Sequence, residues 1–505
     1  AYLAPACQQV AGRLALRMLM QPELSTITRT GEQPFRLALE DGSVLDAAAV
    51  VRVVPGRRIV CRGEWRGQPV YAKLFIGRQA DYYAARDERG VQALAQAAIR
   101  TPPLLYAGAL AGGAGVALVF AAITDSVTLQ QAWPQAGPDQ RYAWAMALVT
   151  EVARHHRENL IQTDLYLKNF LLQGDAIYTL DGDGVRPLNF WHRRRSLDNL
   201  ARLLSKFDAL EIEAWLPSLL QRYADARGWA ADIDLPGMRQ RVMRQRRRAV
   251  ASYVNKKIFR DCTDIHVEAG PRFFLAAARP YLDSNLRQML AQPDAVMAAM
   301  AARLKSGNTC TVGVAEVGGR KLVVKRYNIK NLWHGLGRAL RPTRAAASWR
   351  NAHRLRMLNI ATAAPVALLE KRYGPIRRQA YFVAEYLDAP DVVEFFADAR
   401  VDADSKARTA TAIAALFYKL YLLNIAHGDF KGNNMKIING EPSLIDLDSM
   451  RQHRCQRLFR RRHVRDLRRF LRNWQRGDAA HGLLTTAFAH VYQNQGLLRQ
   501  AGIQN

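Results

Sequence analysis

The chain has 505 residues, and its 73 Lys and Arg against 44 Asp and Glu give a net charge of +29. With 49% hydrophobic residues it can bury full cores, which excludes a disordered chain, and no run reaches the roughly 18 to 20 apolar residues that cross a bilayer as a helix. Cys7, Cys61, Cys262, Cys310 and Cys455 form no C-x-x-C pair and read as reduced, mostly buried thiols, not as a zinc site or a disulfide framework.

The charge calls for a polyanionic neighbour: nucleic acid, an anionic membrane surface or a phosphorylated glycan. It is concentrated in Arg239 to Arg248 and in Arg451 to Arg472, the second run holding ten Arg in twenty-two residues.

In chain order, Val10 to Met20 has a helical pattern, and residues 1–20 lack the basic, apolar, small-residue order of a secretory leader. From Val50 short β-like runs follow, with a turn at Arg66-Gly67 and Lys73 flanked by apolar residues on a strand. A helix over Asp81 to Ala98 carries Glu88, the expected acidic partner of Lys73, while Arg86, Asp87 and Arg89 read as solvated. Val116 to Ala122 reads as a strand leading to a hinge, and Tyr142 to Arg157 as a helix ending in the structural pair His155 and His156.

Ile161 to Val185 then reads I-Q-T-D-L-Y-L-K-N-F-L-L-Q-G-D-A-I-Y-T-L-D-G-D-G-V, with Asp164, Asn169, Asp181 and Asp183 as candidates. After a basic helical stretch over 210–258, the second half opens with a helix over Pro293 to Lys305 and a loop over Gly307 to Thr311, in which Gly307 and Thr309 would cover phosphates. Lys325 lies on the next strand, and Ile329 to Arg341 forms a basic amphipathic segment, either packed on its own domain or lying in a membrane interface. The second half culminates in Ile425 to Met450, I-A-H-G-D-F-K-G-N-N-M-K-I-I-N-G-E-P-S-L-I-D-L-D-S-M, with Asp429, Lys431, Asn434, Asp446 and Asp448.

Phosphoryl transfer needs a carboxylate to orient the attacking hydroxyl, and an Asn with a second carboxylate to hold Mg²⁺. The order Asp, Asn, Asp meets that need, and it occurs twice at one interval: 429−164, 434−169 and 446−181 all equal 265. A period so long indicates a duplicated domain, not a solenoid unit. The copies differ: Gln162 stands for His427 and Tyr166 for Lys431, and aligning Thr101 with Thr362 puts Trp349 where Glu88 stands. Asp198 and Asp466, each on a later helix, are read as carboxylates bracing the loops.

D-L-Y-L-K-N-F-L-L with its D-G-D, K-R-Y-N-I-K, and H-G-D-F-K-G-N-N resemble the bacterial lipopolysaccharide core sugar kinases, the Kdo and heptose kinases of the protein-kinase-like fold. The resemblance implies an α+β chain of two tandem protein-kinase-like domains, each with a small β-rich N-lobe and a helical C-lobe. Domain 1 would span 1–260 (N-lobe about 45–122, C-lobe about 123–260) and domain 2 would span 261–505 (N-lobe about 265–385, C-lobe about 386–505).

It implies ATP and Mg²⁺ as cofactors, core glycolipid as acceptor, and peripheral work on an anionic membrane at the cytoplasmic face of a Gram-negative inner membrane. Asp429 and Asp164 would orient the hydroxyl and Lys431 would neutralise the transferred group. Lys325 and Lys73 would grip phosphates, with Glu88 holding Lys73. Asn434, Asp446 and Asp448, and Asn169, Asp181 and Asp183, would bind metal. Two other readings stand: a pseudokinase scaffold for envelope glycolipid assembly, and a nucleic-acid-associated kinase-like protein, which rests only on the arginine runs and lacks any RNA-binding motif.

Overall fold

The computed structural model describes residues 23–503 apart from 29, 190–191, 230–232, 300–302, 307–309, 329–341, 375 and 493–494. Two of the expected features, the helix over Val10 to Met20 and the basic segment Ile329 to Arg341, lie outside the described residues. The chain divides into two compact units: the first runs to Lys206 and takes in Ala214–Val242, the second holds Phe207–Glu213 and continues from Met243. Residues 243–260, expected with the first domain, group with the second unit.

In the first unit, β1 (Phe35–Ala38), β2 (Val44–Val54), β3 (Arg58–Trp65), β4 (Gln68–Phe75), β5 (Leu104–Ala109) and β6 (Val116–Ala121) form an antiparallel sheet in the order β1-β2-β3-β4-β6-β5. The β3–β4 turn forms because Arg66 and Gly67 both take positive φ, 50° and 77°, as a tight two-residue hairpin requires. Strand alternation sends Val70, Ala72 and Leu74 into one core. It leaves Lys73 on the other face with Phe75, which packs with Leu118 and Phe120 against α1 (Ala80–Gln96). A helical region follows, with α2 (Pro138–Arg157), the hairpin of β7 (Phe170–Gln173) and β8 (Ala176–Thr179), and α3 (His192–Leu204).

The second unit repeats that order of a sheet and then helices. Its sheet comprises β9 (Ile265–Ala269), β10 (Phe273–Ala278), β11 (Arg303–Ser306), β12 (Cys310–Val317), β13 (Arg320–Tyr327), β14 (Pro365–Tyr373) and β15 (Ile376–Glu385), in the order β9-β10-β14-β15-β13-β12-β11. The helix expected over Pro293 to Lys305 ends at Ala299, and Arg303–Ser306 instead pairs with β12. The Arg-Leu-Lys alternation suits a strand better than a helix end.

On β13, Leu322 and Val324 enter one core, leaving Lys325 on the face toward α4 (Arg344–Met357). Beyond the sheet come α5 (Ala403–Leu422), the hairpin of β16 (Met435–Ile438) and β17 (Glu441–Leu444), α6 (Gln456–Leu471) and α7 (Ala479–Val491). On α6 only one face is apolar enough to bury, through Phe459, Val464, Leu467 and Phe470, and the arginines occupy the rest. Among the described residues no helix is long and apolar enough to cross a membrane.

Candidate active site

In the first unit the partner of Lys73 is not Glu88. Lys73 Nζ donates to both Asp87 carboxylate oxygens, at 2.7 and 3.0 Å, and to Asp181 Oδ1 at 3.3 Å, while Glu88 accepts from Gln92 on its own helix. The correction follows from helix geometry: Ala80, Ala84, Asp87, Val91 and Leu94 form the buried face of α1, and Glu88 is turned off it. Gly90 brings that face within backbone reach of the Asp181-Gly182-Asp183 turn, since a Cβ at Gly90 would lie 2.0 Å from the Gly182 carbonyl oxygen.

Arg86, expected in solvent, pairs with Asp183, and Arg57 Nη2 lies 4.0 Å from the same carboxylate. Arg58, at the start of β3, stands 3.7 Å from Asp87 and 3.6 Å from Asp181. Burial raises the Asp87 carboxyl above its ordinary range. Burial acts the same way on Asp181, but Lys73 and then Arg58 outweigh it and hold that carboxyl below its usual range.

The loop from Gln162 to Asn169 is fixed by hydrogen bonds. Gln162 Nε2 donates to the carbonyls of Asp181 (2.9 Å) and Leu180 (3.4 Å), its Oε1 accepts from Asp164 N–H, and Asn169 Nδ2 donates to the Asp164 carbonyl at 2.8 Å. The brace from α3 is Asn199 and not Asp198: Asn199 Nδ2 donates to the Gln162 carbonyl at 2.9 Å, while Asp198 is ion-paired to Arg241. Again the buried member of an adjacent pair is the one in contact, as Ser196, Asn199, Leu200 and Leu203 share the inward face. His156 bridges Tyr223 and Asn199, and burial takes its imidazole down to about 4, so it is neutral and structural.

The second unit builds the same loop from partly different residues. His427 Nε2 meets the Ile445 carbonyl at 3.1 Å, the position 265 residues after Leu180, so the Gln162 amide performs the contact of the imidazole. Asn434 Nδ2 donates to the Asp429 carbonyl at 2.8 Å, as Asn169 does to Asp164. From α6, Asp466 accepts from the backbone N–H groups of His427 (2.7 Å) and Gly428 (3.1 Å), the bracing role expected of it. Phe430, between Asp429 and Lys431, is buried and stacks on Phe417 of α5 at 4.2 Å between ring centres.

Lys325 pairs with Asp446 and lies 3.6 Å from Asp448, which also takes Arg344 of α4 at 2.7 Å. Burial opposes ionisation of Asp446, yet Lys325 keeps its carboxyl below the usual range. Trp349 is fully buried and donates its indole N–H to the Ile258 carbonyl, so it takes no part in holding Lys325. Asp429 pairs with Arg469 of α6 at 2.5 Å and faces Lys431 Nζ at 3.8 Å. Gly307 and Thr309 lie outside the described residues.

The 265-residue interval extends to the backbone. Asp181 (φ 69°) and Asp446 (φ 57°) are both left-handed, as are Asn159 and Asn424, and Gly174 and Asn439. A left-handed Asp is an unusual conformation, and here it precedes a short turn that carries a second carboxylate in both units.

Asn434, Asp446 and Asp448 offer hard oxygen donors of the kind Mg²⁺ takes in small number when phosphates complete its shell. The Asn434 nitrogen is committed to the Asp429 carbonyl, which leaves its oxygen as the free acceptor. Among the described residues no three His, Cys, Asp or Glu side chains gather into a metal cage. Of the residues outside the expected set, Asn199 carries a signal in its helical periodicity, whereas Arg57 and Arg58 lie at the end of a turn, which has no period to read.

No curated protein matches the chain. Residues 294–489, which contain Lys325, Asp429, Asn434, Asp446, Asp448 and both bracing and ion-pairing residues of α6, match the lipopolysaccharide kinase (Kdo/WaaP) family, a family of kinases.

Proposed function

We propose that the protein is an ATP- and Mg²⁺-dependent kinase that phosphorylates a sugar hydroxyl, of heptose or Kdo, on the lipopolysaccharide inner core at the cytoplasmic face of the inner membrane. The observation that carries this reading is the convergence of Lys325, Asp446 and Asp448 in the segment that matches a kinase family and also holds Asp429 and Asn434. Asp429 orients the acceptor hydroxyl and draws off its proton, Lys325 grips the nucleotide phosphates, and Lys431 faces the charge on the transferred group. Asn434, Asp446 and Asp448 would hold Mg²⁺, which supplies charge neutralisation at the phosphates when bound. The net charge of +29 suits an acceptor rich in phosphate and carboxylate on an anionic membrane.

For the first unit we propose a second kinase-like domain arising from tandem duplication, supported by the recurrence of loop hydrogen bonds and left-handed positions at 265 residues. One observation favours a non-transferring role for it: Arg58 joins Lys73 at Asp181, 3.6 Å away, where a metal would otherwise compete, whereas Asp446 pairs with Lys325.

The test is transfer of labelled γ-phosphate from ATP to purified core glycolipid, with total RNA and a generic protein as controls, by wild type, Asp164→Ala and Asp429→Ala. Labelled glycolipid that disappears only with Asp429→Ala assigns the chemistry to the second unit. Label on RNA alone, or on nothing while Mg²⁺-ATP still binds, overturns the sugar-kinase reading.

A further inference from the structure

The ion pair between Arg469 and Asp429 is not needed to fold the loop. Asp466, Phe430 and Asn434 already fix the backbone there. Arg469 is 43% exposed and Lys431 49%, so both cations keep donors toward solvent beside the carboxylate that would meet the acceptor hydroxyl. Arg465, four residues before Arg469 on the helix, and Arg472, which caps its C-terminal end, are exposed, and among the described residues neither has an ion-pair partner.

The first unit fills this place differently, with Lys206 lying over the Tyr166 ring at 3.8 Å and its arginine turned to the backbone. Arg202, three residues after the brace Asn199 as Arg469 is three after Asp466, donates to the Thr163 carbonyl at 2.7 Å, and Tyr166 replaces Lys431. A guanidinium fork with unused donors beside a lysine matches a carboxylate or phosphate, and a site built to hold a charged group discriminates strongly against the analogue that lacks it.

We propose that Arg469 forms an anion subsite beside Asp429 that selects acceptor sugars carrying a carboxylate or phosphate near the reacting hydroxyl, while Lys431 stays with the transferred group. This rests on the kinase reading above. Arg469 binds that anion and holds Asp429 in place, and the acceptor choice of the second unit is set there.

The experiment measures kcat and KM for the full chain with inner-core oligosaccharide in three forms: intact, with carboxyls converted to methyl esters, and with phosphates removed. Wild type should lose about 30- to 100-fold in kcat/KM on whichever modified form has lost the recognised anion, mainly through KM, and this identifies carboxylate or phosphate as the group bound. Arg469→Gln should lose a similar factor on the intact acceptor and no longer distinguish it from the modified form, while Arg469→Lys should recover part of the loss. An equal fall in kcat on all three acceptors would reduce Arg469 to a structural support of Asp429 and overturn the subsite. Retained selectivity in Arg469→Gln would overturn it too. Absence of transfer by wild type to any core acceptor would instead remove the kinase reading on which it rests.

Discussion

The Asp466 carboxylate accepts the backbone N–H groups of His427 and Gly428 at 2.7 and 3.1 Å from a site that is 3% exposed. Burial pushes its carboxyl up to about 6 against the pull of those two donors. The folded state therefore binds a proton at this site more readily than the unfolded chain, whose carboxyl titrates near the ordinary 3.8. Its contribution to stability is fully present below about 4 and is lost as pH rises through about 6. Asp466→Asn should flatten that limb of the stability profile. It should also cost about 1–3 kcal/mol at pH 7, because an amide offers fewer acceptor sites to two buried donors. Urea unfolding at pH 4, 5, 6 and 7 measures both.

Asp87 and Glu88 are neighbours in sequence with different roles. Asp87→Ala should destabilise the first unit by about 2 kcal/mol, since Lys73 loses its closest carboxylate in a largely buried place but keeps Asp181. Glu88→Ala should stay within about 0.5 kcal/mol of wild type. Equal effects of the two substitutions in thermal or urea unfolding would contradict the pairing.

Gln162 and His427 make corresponding contacts, so each should tolerate the other's side chain. His427→Gln should preserve the fold with a loss under about 1.5 kcal/mol, whereas His427→Ala should cost about 2–4 kcal/mol by leaving a cavity and an unmet carbonyl. A urea midpoint for His427→Gln no better than that for His427→Ala would show that the two side chains are not interchangeable.

Gly90→Ala is the sharpest test of the contact between α1 and the Asp181 turn. Its methyl group would run into the Gly182 carbonyl oxygen, so the helix or turn must shift at a cost of about 1–3 kcal/mol. Because the shift separates Asp87 from Lys73, Gly90→Ala and Asp87→Ala should be non-additive in a double-mutant cycle.

The loops were legible because their chemistry fixes both residue type and spacing: Asp164, Asn169 and Asp181 recur as Asp429, Asn434 and Asp446 with no gap. What could be misread was which of two adjacent helical residues faces inward. Glu88 beside Asp87 and Asp198 beside Asn199 pose the same difficulty: a familiar charge points to one residue and the helical period to its neighbour. The helix expected through Lys305 shows the reverse limit, since a good helix start does not say where pairing with a neighbouring strand will take over. Arg58 was out of reach for another reason, because its contacts with Asp87 and Asp181 exist only once β3 and β4 have paired.

The stacking of Phe430 on Phe417 bears on motion. The ring that follows Asp429 belongs to the same packed cluster as Phe470 and Phe488, so the loop cannot swing away without unseating the interior of its unit. Amide hydrogen exchange at His427, Gly428 and Asn434 should accordingly track unfolding of the whole unit and not a local opening. The aromatic ring thus ties the mobility of this loop to the stability of its unit.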